Sequence, residues 1–354
     1  MSGVAGNGRD PVDDLHRIAF LLERAHEATY RVRAFRTAAA AVAALSGAEM
    51  RARVAAGTLT ELAGVGAVTA QAVAESVAGQ LPAYLARLEA AGAEPVARGG
   101  EHIRAALRGD CHTHSDWSDG GSPIEEMART ARDLGHEYVV LTDHSPRLTV
   151  ANGLSPQRLR QQLGVVAEVG GRLAPFRLLS GIEVDILDDG SLDQHPELLD
   201  ELDLVVASVH SKLRMPSVEM TPRLVAAVAN PQVDVLGHCT GRNVTSGGRR
   251  GRTRPESEFE AEVVFEACRE FGVAVEINCR PERLDPPKRL LRMAIETGCL
   301  FAVDTDAHAP GQLDWQLYGC TRAAECAVPV ERIVNTWPAG DLLRWTADHS
   351  HRPG

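Results

Sequence analysis

From Asp110 onward, short apolar runs alternate with helix-length stretches, and the runs keep ending on the same kinds of residue. They close near Asp110–His114 and at YVVLTDH (138–144), LLSGIE (178–183), LVVASVH (204–210), VDVLGH (233–238), VAVEIN (273–278) and LFAVDTDAH (300–308). Six of these seven finish on His, Asp or Glu. Apolar runs of this length separated by helical segments are the pattern of parallel strands buried on both faces. When such βα units close into a barrel, the carboxyl ends of all strands converge on one face, where active sites are built. The chain is therefore expected to be α/β, with a site rich in imidazole and carboxylate at the barrel mouth.

The residues gathered there would be His112, His114, His144, Glu183, His210, His238, Asp306 and His308, with Asp119 on the first loop. His112 and His114 are spaced by two, as are Asp306 and His308, so within a strand each pair faces one side. Imidazole with carboxylate and no thiolate suits zinc, manganese or iron. Grouping these side chains without a cation would cost on the order of several kcal/mol. Nine candidates exceed what one tetrahedral ion uses, so two or three divalent ions are expected, with Glu183 best placed to bridge a pair. Such ions polarise phosphoryl oxygens and lower the pKa of water, the chemistry of phosphoester hydrolysis. The loop after His238 carries Arg242, Arg249, Arg250, Arg252 and Arg254 with no acid between Cys239 and Pro255. Guanidinium forks match phosphate oxygens, and Arg242, nearest the strand end, is expected to act on the substrate phosphate. Arg280 and Arg283, just past the next run, are placed to add to the same funnel.

The first hundred residues have a different rhythm. Asp10-Pro11 reads as an N-cap followed by a first-turn proline, and Leu15, Ile18, Ala19, Leu21, Leu22 and Ala25 follow at helical spacing. Ala-rich stretches continue this to make residues 10–91 a small all-helical unit, joined by a linker over 92–104 to a second domain over 105–345. Within the first unit, Gly64 and Gly66 of LAGVGA allow a tight turn whose N–H groups can meet a phosphate at a helix start. Arg31, Arg33 and Arg36 of YRVRAFR are the candidates to lie along a DNA backbone, or else form a solvated helix face.

Composition excludes several classes. With 44% hydrophobic and 24% charged residues the chain is that of an ordinary globular protein. Its longest uncharged stretches, such as Leu62–Ala74, are too short to span a bilayer. No secretory signal opens it, so no membrane partner and a cytoplasmic location are expected. Seven cysteines without a C-x-x-C pair argue against a disulfide framework or a cysteine-only zinc site. The first hundred residues balance ten arginines against ten acids, so the net charge of -11 falls wholly on the remainder. An acidic domain repels nucleic acid unless cations or a local basic patch intervene. Lys212 and Lys288 are the only lysines, which excludes Schiff-base chemistry in the first hundred residues.

Taken in order, DCHTHSDWSDG (110–120), TDHS (142–145), GIEVDI (181–186), SVHS (208–211), GHCTGR (237–242) and DTDAH (304–308) resemble the polymerase and histidinol phosphatase (PHP) superfamily of metallophosphoesterases. Within it the chain looks closest to the PHP domain of bacterial X-family DNA polymerases, and the resemblance covers most of residues 105–315. YRVRAFRTAAAAV and LTELAGVGAVTA resemble the N-terminal helix-hairpin-helix domain of the same polymerases. The resemblance implies a distorted seven-stranded βα (TIM-like) barrel preceded by that small all-α domain. It implies one metal on His112, His114, Glu183 and Asp306, a second on Glu183, His210 and His238, and a third on Asp119, His144 and His308. Manganese is implied first, with zinc or iron as alternatives, and Cys111 and Cys239 read as packing residues.

The activity implied is phosphoester hydrolysis at DNA ends, as a 3'-5' exonuclease or 3'-phosphatase. One alternative is a phosphomonoesterase acting on a nucleotide, histidinol or sugar phosphate. Another is a non-catalytic DNA-binding module, which the nine unreplaced ligand positions argue against. Residues 92–105 leave no room for nucleotidyl-transfer domains, so polymerase activity is expected to be absent. Ala67 stands where the family commonly has lysine, which weakens the expectation of duplex binding.

Overall fold

A computed structural model describes residues 8–244 and 253–349. The chain divides into two compact units after Pro95. In the first unit, Asp10 accepts from the Val12 N–H at 2.8 Å and starts helix α1 (Pro11–Arg24), a side-chain cap that satisfies an otherwise free helix N–H. Helices α2 (Thr29–Ala43), α3 (Gly47–Ala56), α4 (Ala67–Val77) and α5 (Ala83–Ala91) follow. Leu15, Ile18 and Leu22 of α1 share one core with Phe35, Ala38, Ala39 and Val42 of α2, Val73 of α4 and Leu85 of α5. Ala38 and Ala39 of α2 are fully covered, and their small size suits close helix packing. Gly64 sits at φ 86°, in the turn before α4, where a Cβ would come within 2.4 Å of Thr37 Cγ2 on α2. Only glycine fits both that backbone conformation and that approach.

The second unit holds seven parallel strands in chain order: β1 (Gly109–Thr113), β2 (Tyr138–Leu141), β3 (Arg177–Asp185), β4 (Leu204–Ser208), β5 (Val235–Leu236), β6 (Ala274–Asn278) and β7 (Phe301–Asp304). Helices connect them, beginning with α6 (Glu101–Ala106) before β1, α7 (Ile124–Asp133) before β2 and α8 (Pro156–Leu173) before β3. The first and last strands approach as well. Thr113 bridges Ala307 and the His114 N–H donates to Ala307 O at 2.8 Å. Below that bridge, Cys111 N–H donates to Asp304 Oδ1 at 2.8 Å and Thr305 Oγ1 donates to Asp110 Oδ2 at 2.5 Å. The chain thus folds as the expected seven-stranded parallel barrel, preceded by helices.

The barrel interior changes character along its axis. Val140, Leu179, Val206, Val235, Ala274 and Ala302 form an apolar floor with Tyr138, closed by Val334, Ala339 and Leu342. Side chains two apart share a strand face, so Leu179 leads to Gly181 and Glu183, Val206 to Ser208 and His210, Ala274 to Glu276 and Asn278, and Ala302 to Asp304 and Asp306. The same period-two rule that buries the floor thus aims polar residues into the mouth. Strand β3 runs two residues past Glu183, because Glu183 bridges His144 and Asp185 pairs with Ser208. Among the described residues no helix is long and apolar enough to cross a membrane.

Candidate metal centre

Glu183 is the hub of the mouth. Its Oε1 lies 2.8 Å from His238 Nε2 and 3.3 Å from His210 Nε2. Its Oε2 lies 2.8 Å from His144 Nδ1, 3.4 Å from His112 Nε2 and 3.6 Å from His114 Nε2. His114 Nε2 is also 3.4 Å from Asp306 Oδ1. On the open side, Asp119 Oδ1 is 3.3 Å from His308 Nε2 and 3.5 Å from His144 Nε2. All nine residues expected from the sequence therefore stand in one group. Donor atoms of seven of them fall into three overlapping sets, His114, Asp119, His144 and His308; His112, His114 and Glu183; and His144, Glu183 and His210, while His238 and Asp306 adjoin through Glu183 and His114.

Proximity alone does not require an ion, but the hydrogen-bond pattern fits one. His112 Nε2, both ring nitrogens of His114, His144 Nδ1, His210 Nε2, His238 Nδ1 and Glu183 Oε2 are buried without a hydrogen-bond partner. Buried polar atoms are rarely left this way, and here several share one small volume. Nitrogen and carboxylate donors at these positions fit a divalent cation of the zinc, manganese or iron type. The cysteines do not compete: all seven are buried free thiols, and burial pushes Cys111 and Cys239 well above the ordinary thiol range.

A second layer fixes the rings. Glu276 Oε1 lies 2.6 Å from His112 Nδ1, while its Oε2 accepts from the backbone N–H of His238 at 2.5 Å. Asp185 Oδ1 lies 3.3 Å from His210 Nδ1. Burial disfavours a charged ring at both histidines, yet Glu183 and Glu276 raise His112 well above its ordinary value. Glu183 and Asp185 likewise hold His210 up at about 9. His114 is driven well below its ordinary value by burial and by His308 and His144. Burial would raise Glu183, but His210, His112 and His144 keep it well below the usual carboxylate range, and hence ionised. Glu276 and Asp185 were not among the residues expected from the sequence. Their signal was present, since a carboxylate inside an otherwise apolar strand such as VAVEIN needs a partner.

The arginines sort differently from expectation. Arg242 does not join the cluster: its Nε donates to Arg283 O at 3.0 Å, Nη2 donates to Leu284 O, and Nη1 faces Glu256 at 3.3 Å. Two of its donors are thus engaged by the loop that follows β6 and the third by Glu256. Arg280 and Arg283 are the ones beside the centre. Arg280 Nη1 donates to Asp306 O at 2.8 Å and lies 2.9 Å from His308 Nδ1, and Arg283 Nε is 3.2 Å from Asp306 Oδ2. Arg254 donates through Nε to Gly241 O, and Arg249, Arg250 and Arg252 lie outside the described residues.

In the helical unit, Arg36 makes a two-pronged pair with the buried Glu23, at 2.7 and 3.0 Å. Arg31 donates to Tyr84 Oη at 2.7 Å and pairs with Glu27 at 2.6 Å. Both guanidinium groups are engaged within the unit's own packing. Arg33 is exposed on α2, one turn before the Thr37 that Gly64 touches. Gly66 caps α4, but its N–H already donates to Thr69 Oγ1 at 3.0 Å.

Residues 110–279 match the PHP domain family. A probable phosphatase of Thermoanaerobacter sp. is 30% identical over 210 residues, 56% of this chain and 78% of that protein. The chain belongs to the PHP family. This PHP protein is also 38% identical over 236 residues to the DNA polymerase/3'-5' exonuclease PolX of Bacillus subtilis, across 67% of the chain but only 40% of that relative's length. Among solved structures it is similar to a histidinol phosphate phosphatase from Lactococcus lactis complexed with zinc, L-histidinol and phosphate. That likeness has a TM-score of 0.43 at 18% identity and covers 62% of this chain and 92% of that one. As a PHP protein the chain is a metal-dependent hydrolase of phosphate esters.

Proposed function

We propose that this PHP protein processes DNA ends, as a 3'-5' exonuclease or 3'-phosphatase that uses manganese. The observation that carries the reading is the 38% identity to a polymerase/exonuclease across two thirds of the chain. It is supported by a helical unit whose exposed Arg33 lies near a glycine turn. One ion would be held by His112, His114, Glu183 and Asp306, a second by Glu183, His210 and His238, and a third by Asp119, His144 and His308. When bound, such ions polarise a phosphoryl oxygen and lower the pKa of water.

The chain's own groups prepare that site. Glu276 faces Nδ1 of His112 and Asp185 faces Nδ1 of His210, so that a cation taking the place of the Nε2 proton would find each ring already oriented through Nδ1. Glu183 stays ionised among five imidazoles. Arg280 and Arg283 bring guanidinium charge beside Asp306, where the added negative charge of a phosphoryl transition state would be stabilised.

A second reading, hydrolysis of a small phosphomonoester, is favoured by the acidic excess outside the first hundred residues and by the internal pairing of Arg31 and Arg36. The test is turnover by manganese-loaded protein of a single-stranded oligonucleotide against a panel of nucleotide, histidinol and sugar monophosphates, with His114→Ala as control. Shortening or 3'-dephosphorylation of the oligonucleotide is expected. Phosphate release from the monophosphates alone overturns the DNA reading in favour of the second.

A further inference from the structure

Eight of the nine clustered residues sit on a strand or within a few residues of a strand end, where the barrel itself fixes them. Asp119 does not. It lies on the loop between β1 and α7, and at 36% its side chain is the most exposed of the nine. Something other than the sheet has to return it to His144 and His308.

That anchor is Asp143, the buried residue immediately before His144. Its Oδ1 accepts from Ser115 N–H at 2.8 Å and Ser118 Oγ at 2.5 Å. Its Oδ2 accepts from Ser115 Oγ at 2.6 Å and from Gln162 Nε2 of α8 at 2.6 Å. A carboxylate has about four acceptor positions, and all are taken here, so Asp143 has no lone pair left for a cation. Three of the four bonds come from the two serines that precede Asp119, and the fourth ties the carboxylate to α8 independently of the loop. The loop is then drawn closed: Gly120 N–H donates to Ser115 O at 2.9 Å and Gly121 N–H to His308 O at 2.7 Å. A Cβ on Gly120 would meet the Ser115 carbonyl at 2.6 Å, so the turn tolerates no side chain there.

We propose that Asp143 is a positioning residue that holds Asp119 in place, making the cation position bounded by His114, Asp119, His144 and His308 separable from the positions around Glu183. The inference rests on reading these groups as metal ligands. Loosening the loop should release one cation and leave the others, because His112, His238 and His210 are tied by Glu276 and Asp185 and Glu183 is fixed within β3.

The experiment is manganese content and affinity of the full chain, stripped, reloaded and passed through gel filtration, for the wild type, Asp143→Asn and Ser118→Ala. Asp143→Asn puts an amide donor against groups that already donate. It should retain one equivalent fewer than the wild type, with the remaining equivalents at unchanged affinity. Ser118→Ala removes one hydroxyl, which reaches Asp143 Oδ1 at 2.5 Å and Asp119 Oδ1 at 3.4 Å, and leaves the two Ser115 bonds and the Gln162 bond to Asp143 in place. It should keep the wild-type thermal midpoint while its weakest equivalent binds roughly 10-fold less tightly, as loss of outer-shell support typically does. Adding Asp119→Ala to Asp143→Asn should cause no further loss, since both act on one position. Full stoichiometry at unchanged affinity, or equal weakening of every equivalent, in Ser118→Ala and in folded Asp143→Asn overturns the proposal. A wild type that takes up no manganese would instead break the metal reading on which it rests.

Discussion

The barrel mouth and the helical unit both carry polar side chains at suggestive spacing, and those side chains end in opposite circumstances. At the mouth, buried nitrogens and a carboxylate oxygen face one another without hydrogen-bond partners, although the surrounding protein supplies Glu276 and Asp185 to two of the rings. In the helical unit, two of three candidate arginines have partners within the unit, Arg36 with Glu23 and Arg31 with Glu27 and Tyr84. A polar group is informative about a ligand to the extent that the fold has left it unsatisfied. Residue type and spacing alone do not tell these two situations apart.

The strongest way to break the comparison is to remove the hub. Glu183→Gln keeps the shape but takes away the negative charge that five imidazoles face. Hydrolysis should fall by more than roughly 10²–10³-fold, beyond the loss of a single active-site hydrogen-bond donor, with bound manganese lost and far-UV circular dichroism unchanged. Chelation should abolish wild-type turnover and added manganese should restore it. Turnover by the stripped protein would mean that the unsatisfied atoms have another explanation.

Glu276→Gln sharpens the same point at one remove. The amide can no longer hold the His112 Nδ1 proton as a carboxylate does, so metal affinity should weaken roughly 10–100-fold while turnover recovers at high manganese. An unchanged manganese titration would show that His112 is oriented by packing alone.

How much of this was legible before the structure depends on the kind of signal. The strand ends were, because His112, Glu183, His210 and Asp306 follow apolar runs whose period leaves them little choice of face. The helical unit was legible through the spacing of Leu15, Ile18 and Leu22. The fate of the arginines was not: Arg242 lies four residues after His238, yet the carbonyls of Arg283 and Leu284 that capture it are some forty positions away. Glu276, Asp185 and Asp143 were passed over for a related reason. Their partners His112, His210, Ser115 and Ser118 are brought to them by neighbouring strands and by loop closure, and such pairing is a property of the tertiary fold.

On the helical side the expected effects are smaller. Arg36→Ala takes away the two-pronged partner of the buried Glu23, and breaking a buried pair typically costs up to about 3–5 kcal/mol. Thermal or urea unfolding of the full chain should therefore show the helical unit melting earlier, with the manganese-dependent activity of folded protein on a small ester unaltered. An unchanged melt would mean that Glu23 finds water or another partner.

Arg33→Ala should do the reverse. The side chain is exposed on α2 and, among the described residues, no ion pair engages it, so stability should stay within about 0.5 kcal/mol of wild type. If the unit contacts nucleic acid through this face, oligonucleotide binding should weaken and the slope of log affinity against log salt should shrink by roughly one. The adjoining Arg31→Ala, whose guanidinium is already paired, should change that slope much less. Equal slopes for all three proteins would remove the DNA contact from α2, and would move the weight of the substrate question to the barrel mouth and to Arg280 and Arg283 beside it.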